Sequence, residues 1–296
     1  MPLNGAIIKN DGIEATINFT PIRTDDWVWT VGINAGKNWN RSMDDDRFVK
    51  ADELTHIDFL NGSSDRPLKN GYPLTAFWSY KFLGLDGTNG YPLIQGATVE
   101  DQGGKGDVDP TTFLVYSGQN EPDFSGGLNT RLRWKDFHFG MDFALMLGAK
   151  KRLPNPYSTF SNGRMPDIFK NLSNELNNRW KEPGDEATTN IPALYTSVRD
   201  LYNQWLPNGR FDNIYSMWAQ SDVRVADASF LRCTQISLSY NLPRKICKSM
   251  GLSRVQFSAN VNNIFVIASK EWRGYDPELG ATIQPRVYSL GLSVGL

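Results

Sequence analysis

Side chains that could perform acid–base, nucleophilic or metal chemistry are few and scattered in this sequence. The histidines are His56 and His138, and the cysteines are Cys233 and Cys247. Neither pair has the spacing of metal ligands or of a nucleophile and its base. Two cysteines are also too few for a disulfide scaffold. We therefore expect unpaired thiols, no catalytic residues, no metal site and no cofactor, and we predict that the protein is not an enzyme.

One acidic segment with several glycines, residues 101–109, has the look of a calcium-binding loop. Its aspartates, Asp101, Asp107 and Asp109, do not fall at the spacing of an oxygen cage. The segment is therefore predicted to be a solvated loop.

Charge and hydropathy limit the class of protein. The formal net charge is −1, from 31 basic and 32 acidic residues, which gives no reason to expect a nucleic-acid partner or an anionic lipid surface. A run of about 18 apolar residues is missing, which excludes a membrane-spanning helix but not barrel strands. The first residues lack the features of a secretory signal. Either the protein stays inside the cell or Met1 is not its true start.

Apolar and polar residues alternate in seven segments of about ten residues, the pattern of β-strands that cross an outer membrane. The segments are 12–21, 27–36, 124–134, 137–148, 235–242, 255–262 and 288–296. Their polar faces are mostly Ser, Gly, Asn and Thr, and aromatic residues gather near the strand ends. Both features are typical of a barrel, whose lumen wall is polar and whose membrane interfaces carry aromatic girdles.

Short turns and long polar excursions alternate between these segments. The excursions are residues 39–122, 149–227 and 267–285. Outer-membrane barrels have short periplasmic turns and long external loops, so all three excursions are predicted to be extracellular. The predicted fold class is all-β: an antiparallel up-and-down transmembrane β-barrel, present in part, with about seven wall strands.

Residues 77–85 also have strand character but lie alone between the second and third wall strands. The second wall strand ends and the third begins on the same side of the membrane, so the chain between them can cross the membrane only zero or two times. A single extra strand does not fit, and we predict that this segment lies outside the wall. It would pair with residues 91–94 through the turn Asp86-Gly87-Thr88-Asn89-Gly90.

A soluble β-sandwich is the alternative that alternation alone leaves open, because sandwich strands alternate too. Such a protein would be a carbohydrate-binding module that uses exposed Trp and Tyr side chains. Solubility distinguishes the two, since the apolar strand faces of a barrel need detergent or lipid.

Several segments carry a family resemblance. Residues 227–232 read Asp-Ala-Ser-Phe-Leu-Arg and residues 236–243 read Ile-Ser-Leu-Ser-Tyr-Asn-Leu-Pro, and further motifs occur at 10–14, 262–265, 274–278 and 285–292. Together, in this order, they resemble the closing strands of the SusC/RagA-type TonB-dependent outer-membrane transporters. The resemblance runs from about residue 10 to the end of the chain and is weakest in the long excursions.

The resemblance implies an importer of oligosaccharides or peptides in the cell outer membrane, with a SusD-type surface lipoprotein and TonB as partners. It also implies that residues 1–296 are the C-terminal portion of a larger barrel, whose plug domain and early strands are absent here. Two positions depart from the family: Leu296 replaces a final aromatic residue, and Cys233 replaces an aliphatic one.

Two groups of side chains are candidates for contact with substrate or lumen water. Aromatic side chains of the excursion 149–227 suit a glycan or peptide, although they could instead pack the loop; they are Trp180, Trp205, Tyr215 and Trp218. Polar side chains of the third and fourth wall strands are predicted to line the lumen; they are Asn129, Arg131, Arg133, His138 and Asp142. Arg131 or Arg133 could pair with Asp142 across the sheet.

Overall fold

The computed structural model describes residues 7–43, 56–62, 69–101, 103, 108–157, 171–194, 203–280 and 282–296. Most of the glycine-containing segment 101–109 therefore lies outside the described residues. The chain divides into two compact units. Unit 1 contains residues 1–9, 40–120 and 150–226, and unit 2 contains residues 10–39, 121–149 and 227–296.

β-Strands are the main secondary structure of the described residues, and the helices are short. The strands are β1 (Ile8–Arg23), β2 (Trp27–Ser42), β3 (Ala76–Tyr80), β4 (Phe82–Leu85), β5 (Pro92–Ile94), β6 (Leu114–Gln119), β7 (Phe124–Trp134), β8 (Phe137–Leu147), β9 (Lys150–Arg152), β10 (Asn203–Trp205), β11 (Phe211–Asn213), β12 (Val225–Asp227), β13 (Phe230–Asn241), β14 (Arg254–Ala268) and β15 (Val287–Gly295). The α-helices are α1 (His56–Asn61), α2 (Ile214–Ala219) and α3 (Arg244–Ser249). Short 3-10 helices cover Pro110–Thr112, Asn174–Asn178, Asp185–Ala187, Asp222–Arg224 and Lys270–Trp272. Within the described ranges, no helix is long and apolar enough to cross a bilayer.

Unit 2 is built on one seven-stranded sheet in the order β1-β2-β7-β8-β13-β14-β15. From β2 to β15, each strand pairs antiparallel with its neighbour. This confirms the seven predicted wall strands. β1, β2 and β14 are longer than predicted, because ladder hydrogen bonding continues where the alternation of side chains becomes irregular. The edge strands of the sheet are β1 and β15.

Connections of different length leave the sheet at opposite ends. The short ones, residues 24–26, 135–136 and 242–253, follow β1, β7 and β13 at one end, and the three long ones start from the other end. Gly295 pairs with Arg254, the first residue of β14. The last strand therefore finishes at the end of the sheet where the short connections lie.

One face of the sheet is apolar and open. A row of directly paired residues crosses it from β7 to β15: Leu132, Phe139, Leu238, Ala259 and Leu290. Leu238 is 47% exposed and Leu290 is 89% exposed. In a sandwich a second sheet would cover these side chains. An apolar face of this extent instead suits contact with lipid.

An aromatic row borders this face at the end of the short connections. It consists of Trp27, Trp134, Phe137, Tyr240 and Phe257, each paired with the next. The ring centroids of Phe137 and Tyr240 are 4.5 Å apart, and those of Trp27 and Trp134 are 5.5 Å apart. Such a row is typical of a membrane–water interface.

The length of β8 is that of a strand that spans an outer membrane. It has 11 residues, which extend roughly 34 Å along the strand. Tilted by about 40°, the strand covers about 26 Å, close to the apolar band of about 25 Å in outer-membrane barrels.

Unit 1 has a mixed core in which aromatic side chains are prominent. Phe59, Leu60, Trp78, Tyr80 and Met217 are all fully or almost fully buried. The ring of Trp78 contacts that of Phe59 edge-on at 5.0 Å between centroids, a favoured geometry for aromatic pairs. Most of this core comes from the long excursions rather than from wall strands.

The prediction for residues 77–85 is partly right. β4 pairs with β5 outside the seven-stranded sheet, as predicted, and the turn 86–90 joins them. However, the prediction that the whole segment pairs with 91–94 is wrong, because Phe77 to Tyr80 belong to β3, which pairs with β6. Both faces of β3 are buried. Packing with the distant strand β6 therefore determines its pairing, and the nearby turn 86–90 does not.

Candidate functional site

The polar face of the sheet is the candidate functional surface of unit 2. All five predicted lumen residues lie on it, because β7 and β8 pair Asn129 with Asp142, Arg131 with Gly140 and Arg133 with His138. The two-residue connection Lys135-Asp136 fixes this register. The structure therefore brings the five side chains together on neighbouring strands, and their role in lining a lumen stays a prediction.

Arg131 and Asp142 form a bidentate ion pair on this face. Arg131 Nη2 lies 2.7 Å from Asp142 Oδ1 and 2.8 Å from Oδ2. Arg131 Nη1 also donates to the carbonyls of Thr130 and Met141 at 3.0 and 3.1 Å. The pair that the sequence allowed is thus formed by Arg131. With its side chain half exposed, the guanidinium retains part of its surface for water or a ligand.

Gly140 makes room for this ion pair. A Cβ atom at Gly140 would lie 2.6 Å from Ser237 Oγ and 3.0 Å from Arg131 Cδ. Any larger side chain would therefore push Arg131 from its position. Gly32 has the same function for the neighbouring amides, since a Cβ there would lie 2.6 Å from both Asn129 Nδ2 and Asn18 Oδ1. Glycines thus let polar side chains lie flat on the sheet.

Arg133 and His138 surround a shallow cavity of about 200 Å³. His138 Nε2 is 3.0 Å from Asn241 Nδ2, and Arg133 Nη2 donates to the carbonyl of Asp25 at 3.3 Å. The rest of its polar lining comes from Thr30, Arg131, Ser237 and Ser239. The cavity offers a guanidinium, an imidazole and hydroxyl groups, which suit ordered water or a polar ligand.

Three of the four aromatic candidates for substrate contact lie in the core of unit 1. Trp218 is 1% exposed, and its Nε1 donates to the carbonyl of Asn190 at 2.8 Å. Tyr215 is also buried and donates from its hydroxyl to the carbonyl of Ala193 at 2.8 Å. Trp180 packs against Leu85. The faces of these three rings are packed, and their polar atoms are hydrogen-bonded within unit 1. They therefore pack the interior of the excursion, which was the alternative to substrate contact.

The polar end of Trp180 has an internal partner too. Its Nε1 donates to Glu186 Oε2 at 3.0 Å. The hydrogen bond from Trp180 is the largest cause that holds the pKa of Glu186 below its usual value, and backbone hydrogen bonds contribute less. Trp180 therefore orders the 3-10 helix Asp185–Ala187.

Trp205 is the candidate that keeps part of its ring exposed. It lies in the hairpin of β10 and β11, opposite Phe211, with ring centroids 5.1 Å apart. Phe211 is 56% exposed and was not singled out from the sequence. Contact between substrate and Trp205 stays a prediction, and the structure adds Phe211 to the same aromatic pair.

A buried polar group in unit 1 was missed by the sequence reasoning. Arg152 donates to the carbonyls of Leu60 and Trp78 at 2.5 and 2.6 Å and to Ser79 Oγ at 3.1 Å. Burial lowers the pKa of Arg152 to about 10, and burial also raises the pKa of Tyr80. Arg152, the last residue of β9, thereby joins helix α1 and strand β3. Its sequence context, Lys-Lys-Arg, is that of an exposed basic stretch and gives no sign of burial.

Two of the segments that carry the family resemblance contact each other. Arg232, in β13, binds Asp276 Oδ2 at 2.5 Å and Glu278 Oε2 at 2.6 Å. Trp272 Nε1 donates to the carbonyl of Asp227 at 2.7 Å. The motifs at 227–232 and 274–278 therefore hold the connection 269–286 to the sheet of unit 2.

Among the described residues, no group of three or more His, Cys, Asp or Glu is placed to hold a metal ion. Comparison with protein-family models finds no match. The arrangement that does stand out is a sheet with one apolar and one polar face.

Comparison with known proteins finds similar chains. The chain is 27% identical to the TonB-dependent receptor SusC of Bacteroides thetaiotaomicron over 308 residues, which covers 99% of this chain and 27% of that receptor. It is 23% identical to the TonB-dependent receptor P3 of Formosa agariphila, which covers 92% of this chain and 25% of that receptor. The chain thus spans about a quarter of the length of these curated relatives.

Solved structures with the same fold include the RagAB peptide transporter, with a TM-score of 0.64 and 19% identity over 98% of this chain and 30% of that chain. The RagAB peptide importer in its closed-closed state gives a TM-score of 0.65 at 18% identity, with 98% and 30% coverage. Both likenesses concern the fold.

Proposed function

We propose that this chain, a relative of the SusC/RagA-type TonB-dependent receptors, supplies a section of the wall of an outer-membrane nutrient importer. The family resemblance and the transmembrane β-barrel fold are confirmed by the relatives and the structural neighbours. The protein is located in the outer membrane. Import itself, its substrates and its partners are part of the proposal.

The observation that carries the proposal is the separation of the two sheet faces. Lipid-facing residues such as Leu290 and lumen-side residues such as Ser289 alternate along each strand, and a polar interior is what a transport path through a barrel needs. The ion pair of Arg131 and Asp142 then belongs to the lumen wall, where it borders the transport path or the plug.

The open sheet edges support the assignment to a larger barrel. In the sheet that the described residues form, β1 and β15 each have a neighbouring strand on one side only. Lipid cannot satisfy the backbone hydrogen-bonding groups of an open strand edge. We infer that further strands of the complete wall pair with both edges. In this proposal residues 1–296 are the C-terminal portion of that barrel, and the excursions 39–122, 149–227 and 267–285 are extracellular.

The substrate class in this proposal is oligosaccharide or peptide. One structural neighbour, RagAB, is a peptide transporter. The partly exposed pair Trp205–Phe211 offers the kind of ring surface on which sugars and peptides pack. The partners are a SusD-type surface lipoprotein above the barrel and TonB, which acts through a region outside this chain.

Uptake measurements test the proposal. Cells that carry the intact protein should accumulate a fluorescent oligosaccharide or peptide from a mixed library, and deletion of the gene or collapse of the proton gradient should abolish this. Ser237→Trp places a bulky ring on the polar face and should reduce uptake, whereas the neighbouring Leu238→Trp faces lipid and should not. Uptake that survives gene deletion, or that falls equally in both variants, contradicts the proposal.

A further inference from the structure

The connection between β13 and β14, residues 242–253, is the most basic of the short connections. It carries Arg244, Lys245 and Lys248 and no acidic residue, and all three cations are exposed. Among the ion pairs between described residues, none includes them. The chain as a whole has a net charge of −1, so this local excess of positive charge is hidden in the overall balance.

The burial of Val255 indicates on which side of the sheet this connection packs. Val255 lies on the apolar face, two residues before Phe257, yet it is 6% exposed whereas Phe257 is 49% exposed. Helix α3 of the connection contacts β14, and Cys247 of α3 is buried, with its Sγ 3.4 Å from the carbonyl of Leu242. The connection therefore covers the end of the apolar face, next to the aromatic row.

Two large apolar side chains of the connection point away from this packing. Ile246 is 46% exposed and Met250 is 60% exposed. Apolar side chains flanked by lysines and arginines are the composition of segments that lie in a membrane interface: the apolar groups enter the acyl boundary and the cations reach the phosphates. The aromatic row beside α3 places the connection at that depth.

We propose that residues 242–253 form an interfacial anchor that binds anionic phospholipid headgroups. Ile246 and Met250 enter the edge of the acyl layer, and Arg244, Lys245 and Lys248 pair with lipid phosphates. Each cation near an anionic surface strengthens binding about fivefold. The anchor fixes the depth of β13 and β14 in the leaflet at the end of the short connections. It depends on the transmembrane fold and not on the substrate that is imported.

An environment-sensitive fluorophore tests the depth of the anchor. It is attached at Met250→Cys in the intact protein reconstituted in nanodiscs, with Leu290→Cys as the lipid control and Asp25→Cys as the control in another short turn at the same end. Cys233 and Cys247 are buried, and labelling of the parent protein measures their background. Emission at position 250 should shift at least halfway from the Asp25 value toward the Leu290 value. Emission equal to that at Asp25 overturns the proposal.

The role of charge is tested in the same samples. The shift at position 250 should be larger in phosphatidylglycerol nanodiscs than in phosphatidylcholine nanodiscs. Lys245→Gln with Lys248→Gln removes two of the three cations and should remove most of that difference. The matched double variant Lys181→Gln with Lys270→Gln removes two exposed lysines elsewhere and should leave the difference intact. A shift that is independent of lipid charge, or that is lost equally in both double variants, overturns the binding of anionic headgroups.

Discussion

Arginine placed at two adjacent positions of β14 should have opposite consequences. Val261 lies on the apolar face, paired with Ile236 and Tyr288, and Asn260 lies on the polar face between Ser237 and Ser289. Val261 is four residues from Phe257 of the aromatic row, or roughly 10 Å toward the bilayer centre in a strand tilted by about 40°. Arginine near the midplane costs about 2–4 kcal/mol.

The expected effects differ enough to be measured. Val261→Arg should lower the folding equilibrium constant about 30- to 800-fold, and Asn260→Arg should change it by less than about tenfold, because its side chain remains in water. The assay is urea unfolding of the intact protein in lipid vesicles, followed by tryptophan fluorescence. Equal losses in the two variants, or a larger loss for Asn260→Arg, would refute the assignment of the faces.

Three further predictions concern the internal contacts of the two units. Glu175→Gln leaves its buried partner Arg224 without a counter-charge, so unit 1 should lose about 3–5 kcal/mol of stability, seen as faster hydrogen exchange. The matched change Lys81→Gln breaks a half-buried ion pair that water still reaches, and it should cost at most about 1 kcal/mol. Gly140→Ala should displace its neighbours and cost about 1–3 kcal/mol, seen as a lower urea midpoint; an unchanged midpoint would contradict the close packing. Burial lowers the pKa of His56 below its unfolded value of 6.5, so below that pH the unfolded chain takes up a proton that the folded chain does not. Stability of unit 1 should therefore fall as pH drops below about 6.5, and His56→Gln should weaken that dependence in denaturant melts; an equally steep dependence in the variant would contradict it.

The wall strands could be predicted because their information is local. Alternation with a period of two assigns each residue of β7 and β8 to a face, and the two-residue turn between them sets the register. That is sufficient to predict that Asp142 pairs with Arg131 or Arg133, and the structure forms the pair with Arg131, 11 residues before Asp142. The same reasoning could not find the pairing of Arg232 with Asp276, because a long connection separates them and only tertiary packing brings them together.

Unit 1 was harder to predict because its order comes from packing between distant segments. A tryptophan has a large apolar ring and one donor, so Trp218 suits a buried core and an exposed binding surface equally well by composition. In the structure Trp218 is buried, and its Nε1 donates a hydrogen bond to the carbonyl of Asn190. The partner of β3 was hidden for a similar reason, since β6 lies more than thirty residues further along the chain.

We propose that the polar face of the seven-stranded sheet borders the import path while the apolar face meets lipid. The most direct measurement is thiol modification in living cells, with single cysteines introduced at Ser237 or Leu238 and a small, charged, membrane-impermeant reagent. We expect the reagent to modify Ser237→Cys and to reduce uptake by that variant. We expect Leu238→Cys to be neither modified nor impaired in uptake. Modification of Leu238→Cys together with protection of Ser237→Cys would show that the two faces have been assigned the wrong way round.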